Sequence, residues 1–228
     1  MIHQEQLPLY EEILLLALDD AQGTTPTGSM FANAMGGAML AELAMDGLVK
    51  ISDDKHKRIT LVSGTIPSDP ILAECVALVA GTKKPKKASD WVLKFGSLKD
   101  LKNRTARHLV VKGVLKEDTG TVLRIFKRTI YPEIDGGPER HLMGRLEQAI
   151  FTETPEVDQR TLVIVALARA TNMLPTIFDK KKLKARKERL EQLSSGQMAG
   201  AATREAVEAM QAAIFVCTIV PAITAATH

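Results

Sequence analysis

The chain has 228 residues, 45% of them hydrophobic, so it can bury a sizeable core as one domain or as two small ones. Its formal net charge of +3 is too small for a dedicated nucleic-acid binder judged by total charge. The two cysteines lie far apart in apolar runs, and no basic segment precedes the first apolar run. The sequence therefore predicts reduced, buried thiols and no secretory signal.

The chain begins with two predicted helices. The apolar run Leu7–Leu18 predicts a helix buried on several sides, and we interpret Glu11 and Glu12 as favourable charges in its first turn. A loop rich in glycine, threonine, proline and serine is predicted over Asp20–Asn33. A helix of small residues is predicted over Ala34–Met45.

A hairpin and two helices follow in the prediction. The strands of this first hairpin are Val49–Ile51 and Arg58–Val62, around a polar turn. A helix is predicted from Pro70 to about Ala80, and a short helix contains Trp91, the only tryptophan. The basic run Lys83–Lys87 between these helices is typical of a solvated loop.

The stretch Ser97–Tyr131 predicts a helix that a glycine ends and a hairpin follows. Its apolar face is formed by residues at helical spacing, namely Leu98, Leu101, Thr105 and Leu109. Gly113 suits the left-handed residue that closes a helix. Val114–Lys116 and Val122–Ile130 are predicted strands around a turn at Asp118–Gly120.

The same pattern occurs twice in the chain. Leu43–Val49 matches Leu109–Leu115 in its apolar positions and in the place of its glycine. Each match is followed by a predicted hairpin. The sequence therefore predicts two winged-helix-like units.

The C-terminal half predicts more helices, over Glu139–Phe151, Arg160–Met173, Lys181–Leu193 and Thr203–Val220. The second of these is apolar on all sides, which is typical of the middle of a bundle. The run Ala209–Ala226 is short for a membrane span and is interrupted by polar residues, so we interpret it as a buried helix. The predicted fold is mainly α: a single globular domain over residues 1–228 with a buried central hydrophobic helix and two small β-hairpins.

Two lysines are the candidate binding residues of this sequence. Lys99 and Lys102 are three residues apart, so on a helix they share one side, and an anion such as a phosphate would relieve their repulsion. The five histidines are scattered, and no nucleophile, metal or phosphate-loop motif is present. We therefore expect no enzyme, no metal site and no cofactor.

Five stretches, in order, resemble the Golgi phosphoprotein 3 family: Leu9–Asp20, Ala38–Ala44, Asp90–Val92, Leu109–Leu115 and Asp158–Ala168. The resemblance covers about residues 7 to 220. It implies a single, mostly helical domain. The family's eukaryotic members are peripheral membrane proteins that bind phosphatidylinositol 4-phosphate and act as trafficking adaptors for glycosyltransferases. We expect a bacterial relative, since the long arm that precedes the first helix in the eukaryotic members is not seen here and half of their head-group pocket has no match.

The resemblance also implies a head-group pocket made of one tryptophan and three arginines. Two of the arginines match Lys99 and Lys102, which keep the positive charge without the bidentate fork of arginine. The third arginine matches Gly36. The tryptophan matches Thr27 or Gly28.

A membrane-inserting hairpin is implied as well, which in the family also serves self-association. It matches Asp118–Thr129. The expected membrane-contacting residues are Val122, Leu123, Arg124, Ile125 and Phe126, with Lys127 and Arg128 beside them. We expect anionic membrane lipids as partners, with a homo-oligomer through this hairpin and a protein cargo as further partners.

The sequence thus favours a non-enzymatic, cytoplasmic protein that binds peripherally to membranes with anionic lipid head groups. The alternative is a winged-helix nucleic-acid-binding protein whose wing, Arg124–Arg128, lies on phosphates. Against that alternative, the helix Ala38–Met45 has almost no polar residues that could contact base edges. A third interpretation is a helical domain that only binds other proteins.

Overall fold

The computed structural model describes residues 6–18, 28–52, 54–62, 64–122 and 126–195. The helices are α1 Leu9–Ala17, α2 Ser29–Met45, α3 Pro70–Ala80, α4 Ala88–Gly96, α5 Leu101–Val111, α6 Gly137–Phe151, α7 Gln159–Ala170, α8 Leu174–Ile177, α9 Lys180–Ala185 and α10 Lys187–Ser194. The strands are β1 Val49–Ile51, β2 Ile59–Leu61, β3 Asp118–Val122 and β4 Phe126–Ile130. The predicted mainly α fold with two small hairpins is confirmed.

Some predictions fall outside these residues. The last predicted helix, Thr203–Val220, the apolar run Ala209–Ala226 and Cys217 all lie beyond residue 195. The assignment of residues 1–228 to one domain stays a prediction. In the part of the chain that the structure describes, none of the helices has the length and apolar character needed to cross a bilayer.

Two helices form the centre of the fold. In α7 every side chain from Thr161 to Ala168 is buried, which confirms the predicted central hydrophobic helix. In α2 the same holds for Asn33–Ala44, and this helix packs against α1, α4 and α7. Because α2 begins at Ser29, the predicted loop over Asp20–Asn33 was too long. Phe31 packs against the core, and this contact extends the helix into residues that were predicted as loop.

The helices α2 and α4 cross through two glycines. A Cβ atom at Gly36 would overlap the backbone carbonyl oxygen of Val92, and one at Gly96 would overlap that of Ala32. Backbones can approach this closely only where no side chain stands between them. These glycines therefore fix how near the two helices lie.

The two helix-glycine-hairpin units end their helices in the same way. Gly47 and Gly113 both adopt the left-handed conformation, with φ of +67° and +73°. The N–H of Leu48 donates to the Leu43 carbonyl, and the N–H of Val114 donates to the Leu109 carbonyl, each at 2.9 Å. Both ends are Schellman motifs, which confirms the predicted repeat at the level of hydrogen bonds.

The residues predicted as the turn of the second hairpin lie in a strand. Residues 118–120 belong to β3, which pairs with β4 in antiparallel register from Asp118 opposite Ile130 to Val122 opposite Phe126. A Cβ at Gly120 would meet the Ile130 side chain at 2.8 Å. The glycine therefore marks close packing inside a strand and not a turn. The first hairpin, with Val49 opposite Leu61, is as predicted.

The predicted basic helix Lys181–Leu193 is two helices, α9 and α10, which meet at Arg186. The Arg186 guanidinium donates to the carbonyl oxygens of Ile150 and Thr152, and this contact fixes the junction. The predicted inward residues of this segment are buried as expected: Leu183, Leu190 and Leu193. Sequence periodicity did not reveal the break because the apolar spacing continues across it.

We predict that Gly36→Ala destabilises the protein by about 1–3 kcal/mol, because the added methyl group forces α2 and α4 apart. Gly144→Ala is the matched control, since a Cβ at this helical glycine of α6 meets nothing within 4 Å. The control should gain about 0.5–1 kcal/mol from its better helix propensity. Urea denaturation measures both free energies of unfolding. Equal effects at the two sites would contradict the close crossing.

Candidate functional site

The two predicted binding lysines lie on either side of the start of α5. Lys99 belongs to the turn before the helix, and Lys102 is the second residue of the helix. Asp100 between them adopts the left-handed conformation with φ of +54°. The prediction that both lysines stand on one helical face was therefore wrong. Lys99 is exposed and Lys102 is half-buried.

The arginines of α5 form ion pairs with carboxylates. Arg104 pairs with Glu74 at 2.5 Å. Arg107 lies 3.3 Å from Asp100 and 3.8 Å from Glu117. These ion pairs offset the charges of Glu74, Asp100 and Glu117, and the positive end of the α5 dipole lies beside the two lysines.

The other two pocket positions belong to the region where α2 begins. Gly36 is buried against α4, so it offers backbone and no side chain to a ligand. Thr27 lies outside the described residues, and Gly28 immediately precedes α2. The glycine crossing brings the first turns of α2 to Gly96, three residues before Lys99. The start of α2, the end of α4 and the start of α5 are thus brought together.

The predicted membrane-contacting hairpin is only partly described. Val122 and Phe126 are the last and first residues of β3 and β4, and they face each other across the pair. Leu123, Arg124 and Ile125 lie outside the described residues, and so do the side chains of residues 121–128. The membrane role and the self-association of this hairpin stay predictions.

Sequence interpretation missed a set of buried charges on α1. The side chain of Glu11 is fully buried, and its carboxylate contacts His108 of α5 at 3.1 Å and Lys112, just after the end of α5, at 2.8 Å. Burial raises the pKa of Glu11, and Lys112 and His108 oppose that rise. Glu11 is therefore not only a charge at a helix start, as interpreted above, but an ion-pair partner that joins α1 to α5.

The neighbouring Glu12 joins α1 to a different helix. Its carboxylate accepts a hydrogen bond from Arg145 on α6. Burial raises the pKa of Glu12 to about 7, although Arg145 and Arg160 lower it. The interpretation of Glu12 as a simple end charge was therefore incomplete as well.

A third buried carboxylate, on another helix, binds the start of α1. Glu42 of α2 accepts the backbone N–H of Leu9 and pairs with Arg160 of α7. Arg160 also donates to the carbonyl oxygen of Leu7. Because Pro8 has no capping side chain, Glu42 takes the place of the missing cap.

An open cavity of about 670 Å³ lies at the end of α5 away from Lys99 and Lys102. Ligating atoms of Glu11, Asp69 and His108 lie within 4.8 Å of one another beside it. Asp69 accepts the hydroxyl of Tyr10 at 2.5 Å, and it also caps the N-terminus of α3. Lys112 already contacts Glu11, and Tyr10 already donates to Asp69, so the cluster acts as a polar contact among α1, α3 and α5.

One signal could have revealed these groups from the sequence. Glu11, Glu12 and Glu42 each stand inside a run that is apolar on all sides, where a charge must be buried. Buried carboxylates need partners, so basic residues elsewhere must reach them. The sequence does not say which ones, since the partners lie 97 to 133 positions away for Glu11 and Glu12 and 118 for Glu42.

The fold and the site define a class of protein: a helical domain with two winged-helix-like units and a basic site at the junction of α2, α4 and α5. The sequence matches the family described as Golgi phosphoprotein 3 (GPP34) over residues 9–210, and the chain belongs to this family. It is similar to vacuolar protein sorting-associated protein 74 of Eremothecium gossypii, with 24% identity over 205 residues. The match covers 75% of this chain, which spans 61% of the length of that relative.

We predict that Glu12 makes the free energy of unfolding decrease as the pH rises. Its folded-state pKa of about 7 lies above the ordinary value of 4.5, so the folded protein binds this proton more tightly. The stabilisation is complete below pH 4.5 and is lost as the pH rises to about 7. Glu12→Gln removes this dependence. The free energy of unfolding of the wild type should therefore fall more steeply with pH than that of the variant, by up to about 1.4 kcal/mol for each pH unit.

Urea denaturation of the wild type and of Glu12→Gln between pH 4.5 and 8 measures this difference. Glu147→Gln, on the exposed side of α6, is the matched control for loss of one carboxylate. If the wild type instead gains stability relative to Glu12→Gln as the pH rises, the Arg145 ion pair outweighs burial.

Proposed function

We propose that the protein is a non-enzymatic, cytoplasmic, peripheral membrane protein that binds anionic lipid head groups of the phosphoinositide type at Lys99 and Lys102. Membership in the Golgi phosphoprotein 3 family supports the proposal. The name of the similar fungal protein refers to protein sorting, which supports a role as an adaptor for protein cargo. Self-association through the second hairpin is part of the same proposal.

The observation that carries the proposal is the position of the two lysines. They lie at the start of α5, where the positive end of the helix dipole attracts anions. The nearby carboxylates Glu74, Asp100 and Glu117 contact Arg104 and Arg107. A phosphate at this point would meet two ammonium groups and a helix N-terminus, and Asp100, the carboxylate between the two lysines, is paired with Arg107.

The nucleic-acid alternative is disfavoured by the burial of α2. A winged-helix protein reads DNA with an exposed helix placed in the major groove. In the first unit that helix would be α2, whose residues Asn33–Ala44 are all buried between α1, α4 and α7. The first unit therefore serves the core of the domain.

We predict that Lys99→Glu combined with Lys102→Glu lowers binding to acidic vesicles at least tenfold. Each cation near an anionic bilayer contributes about 1 kcal/mol, and a tenfold change corresponds to about 1.4 kcal/mol. Vesicle flotation measures the change, with neutral phosphatidylcholine vesicles beside vesicles that contain phosphatidylserine or phosphatidylinositol 4-phosphate. Thermal melting should show that the variant is folded.

Lys180→Glu combined with Lys181→Glu is the matched control. It makes the same charge change at exposed positions of α9 and should bind acidic vesicles nearly as well as the wild type. Equal losses in the two variants would point to diffuse electrostatics and not to a site. Wild-type protein that binds neutral and acidic vesicles alike would contradict the proposed function.

We also predict that Lys99→Arg combined with Lys102→Arg increases the preference for phosphatidylinositol 4-phosphate over phosphatidylserine. Arginine donates two parallel hydrogen bonds to a phosphate, whereas lysine acts as a point charge. Flotation at matched membrane charge measures the ratio of the two affinities. An unchanged ratio would show that these side chains contribute only charge.

A further inference from the structure

The first hairpin and the basic loop after α3 form one surface. The N–H of Ile59 donates to the Lys86 carbonyl, and the N–H of Ala88 donates to the Lys57 carbonyl, each at 2.8 Å. Arg58 and Lys87 form an isolated antiparallel bridge. The loop that the sequence predicts as plain solvated surface is therefore hydrogen-bonded through its backbone to β2 and to the residues just before it. We call residues 54–58 and 83–94 the basic surface.

The basic surface carries a large excess of positive charge. It contains eight lysine and arginine residues against two aspartates, a formal charge of +6, whereas the whole chain carries +3. One of the aspartates, Asp54, pairs with Arg58 at 3.4 Å. The four lysines of residues 83–87 are exposed. Such a concentration of like charge on backbone-paired segments needs an anionic partner.

The charges are also held in place. Trp91 is fully buried, and its ring lies 6.0 Å from the Lys86 ammonium group and 5.4 Å from that of Lys94. Cation–π contacts of this kind favour particular positions of a flexible lysine. Two of the eight cations, Lys86 and Lys94, are therefore positioned by this ring.

The helix α4 connects the basic surface to the proposed lipid site. It begins at Ala88 within the basic surface and ends at Gly96, three residues before Lys99. Nine helical residues span about 14 Å, which is the width of a few lipid head groups. Leu93, on the outside of α4, is 41% exposed and adds an apolar side chain between the two basic regions.

We propose that the basic surface is a second contact with an anionic lipid bilayer, so that the protein meets the membrane along α4 from residues 83–87 to Lys99. This inference rests on the proposed function. Seven of its eight cations are lysines, which suit diffuse attraction to many head groups better than bidentate recognition of one. The basic surface supplies affinity for any acidic lipid, and the Lys99 and Lys102 site supplies preference among them.

The test uses the full chain with Lys84→Glu and Lys87→Glu, two exposed positions outside the tryptophan contact. Binding to vesicles with phosphatidylserine and to vesicles with phosphatidylinositol 4-phosphate, at matched charge, should fall by the same factor, at least tenfold. The loss should shrink as salt increases, because the lipids and the lysines are solvent-exposed. The Lys180→Glu and Lys181→Glu variant, with the same change in net charge, should remain near wild-type affinity.

Each other outcome has a distinct meaning. If the Lys84 and Lys87 variant binds like the α9 control while the wild type binds acidic vesicles, the inference fails and the proposed function stands. Wild-type protein that binds no acidic vesicle overturns both. A gel shift of random duplex DNA at the same salt, tighter than vesicle binding and lost in the Lys84 and Lys87 variant, would assign the surface to nucleic acid instead.

Discussion

The architecture depends on the need to pair carboxylates that are buried beside α1. Glu11 contacts α5 through Lys112 and His108, and Glu12 contacts α6 through Arg145. An unpaired buried charge costs several kcal/mol, so these helices are tied to α1 by electrostatics as well as by apolar packing. The consequence reaches the candidate site, because α5 carries Lys102 near its start and Lys112 just after its end. The ion pair at one end of the helix thus helps to position Lys102, the proposed lipid-binding residue, at the other.

A steric constraint acts where α2 and α4 cross. The close crossing of α2 and α4 allows no side chain at Gly36, the position that matches an arginine in the resemblance to the family. This chain therefore has a packing contact where the resemblance implies a third phosphate contact. In the proposed function, recognition then rests on lysine charge and on the basic surface, and this favours general attraction to acidic lipids over strict selection of one head group.

The two winged-helix-like units show how one local pattern serves two purposes. Both helices end in the same Schellman hydrogen bonds at Gly47 and Gly113. The helix of the first unit is buried in the domain centre, whereas the helix of the second unit carries exposed and half-exposed cations. The hairpin of the first unit gains the segment around Lys86 as a neighbour, and the pairing of backbone groups concentrates positive charge there. Similar local structure therefore does not imply similar function.

The sequence by itself determined the local features of this protein. Apolar periodicity determined most helices, the glycine pattern determined both helix ends, and the apolar run of α7 determined the centre, because each depends on residues close along the chain. Only the tertiary structure decided the partners of Glu11, Glu12 and Glu42. The same is true of the glycine crossing, of the place of residues 118–120 in a strand, and of the backbone pairing of the basic loop with β2. These features depend on residues brought together from distant positions, and burial and backbone approach are properties of the folded chain that spacing along a sequence does not encode.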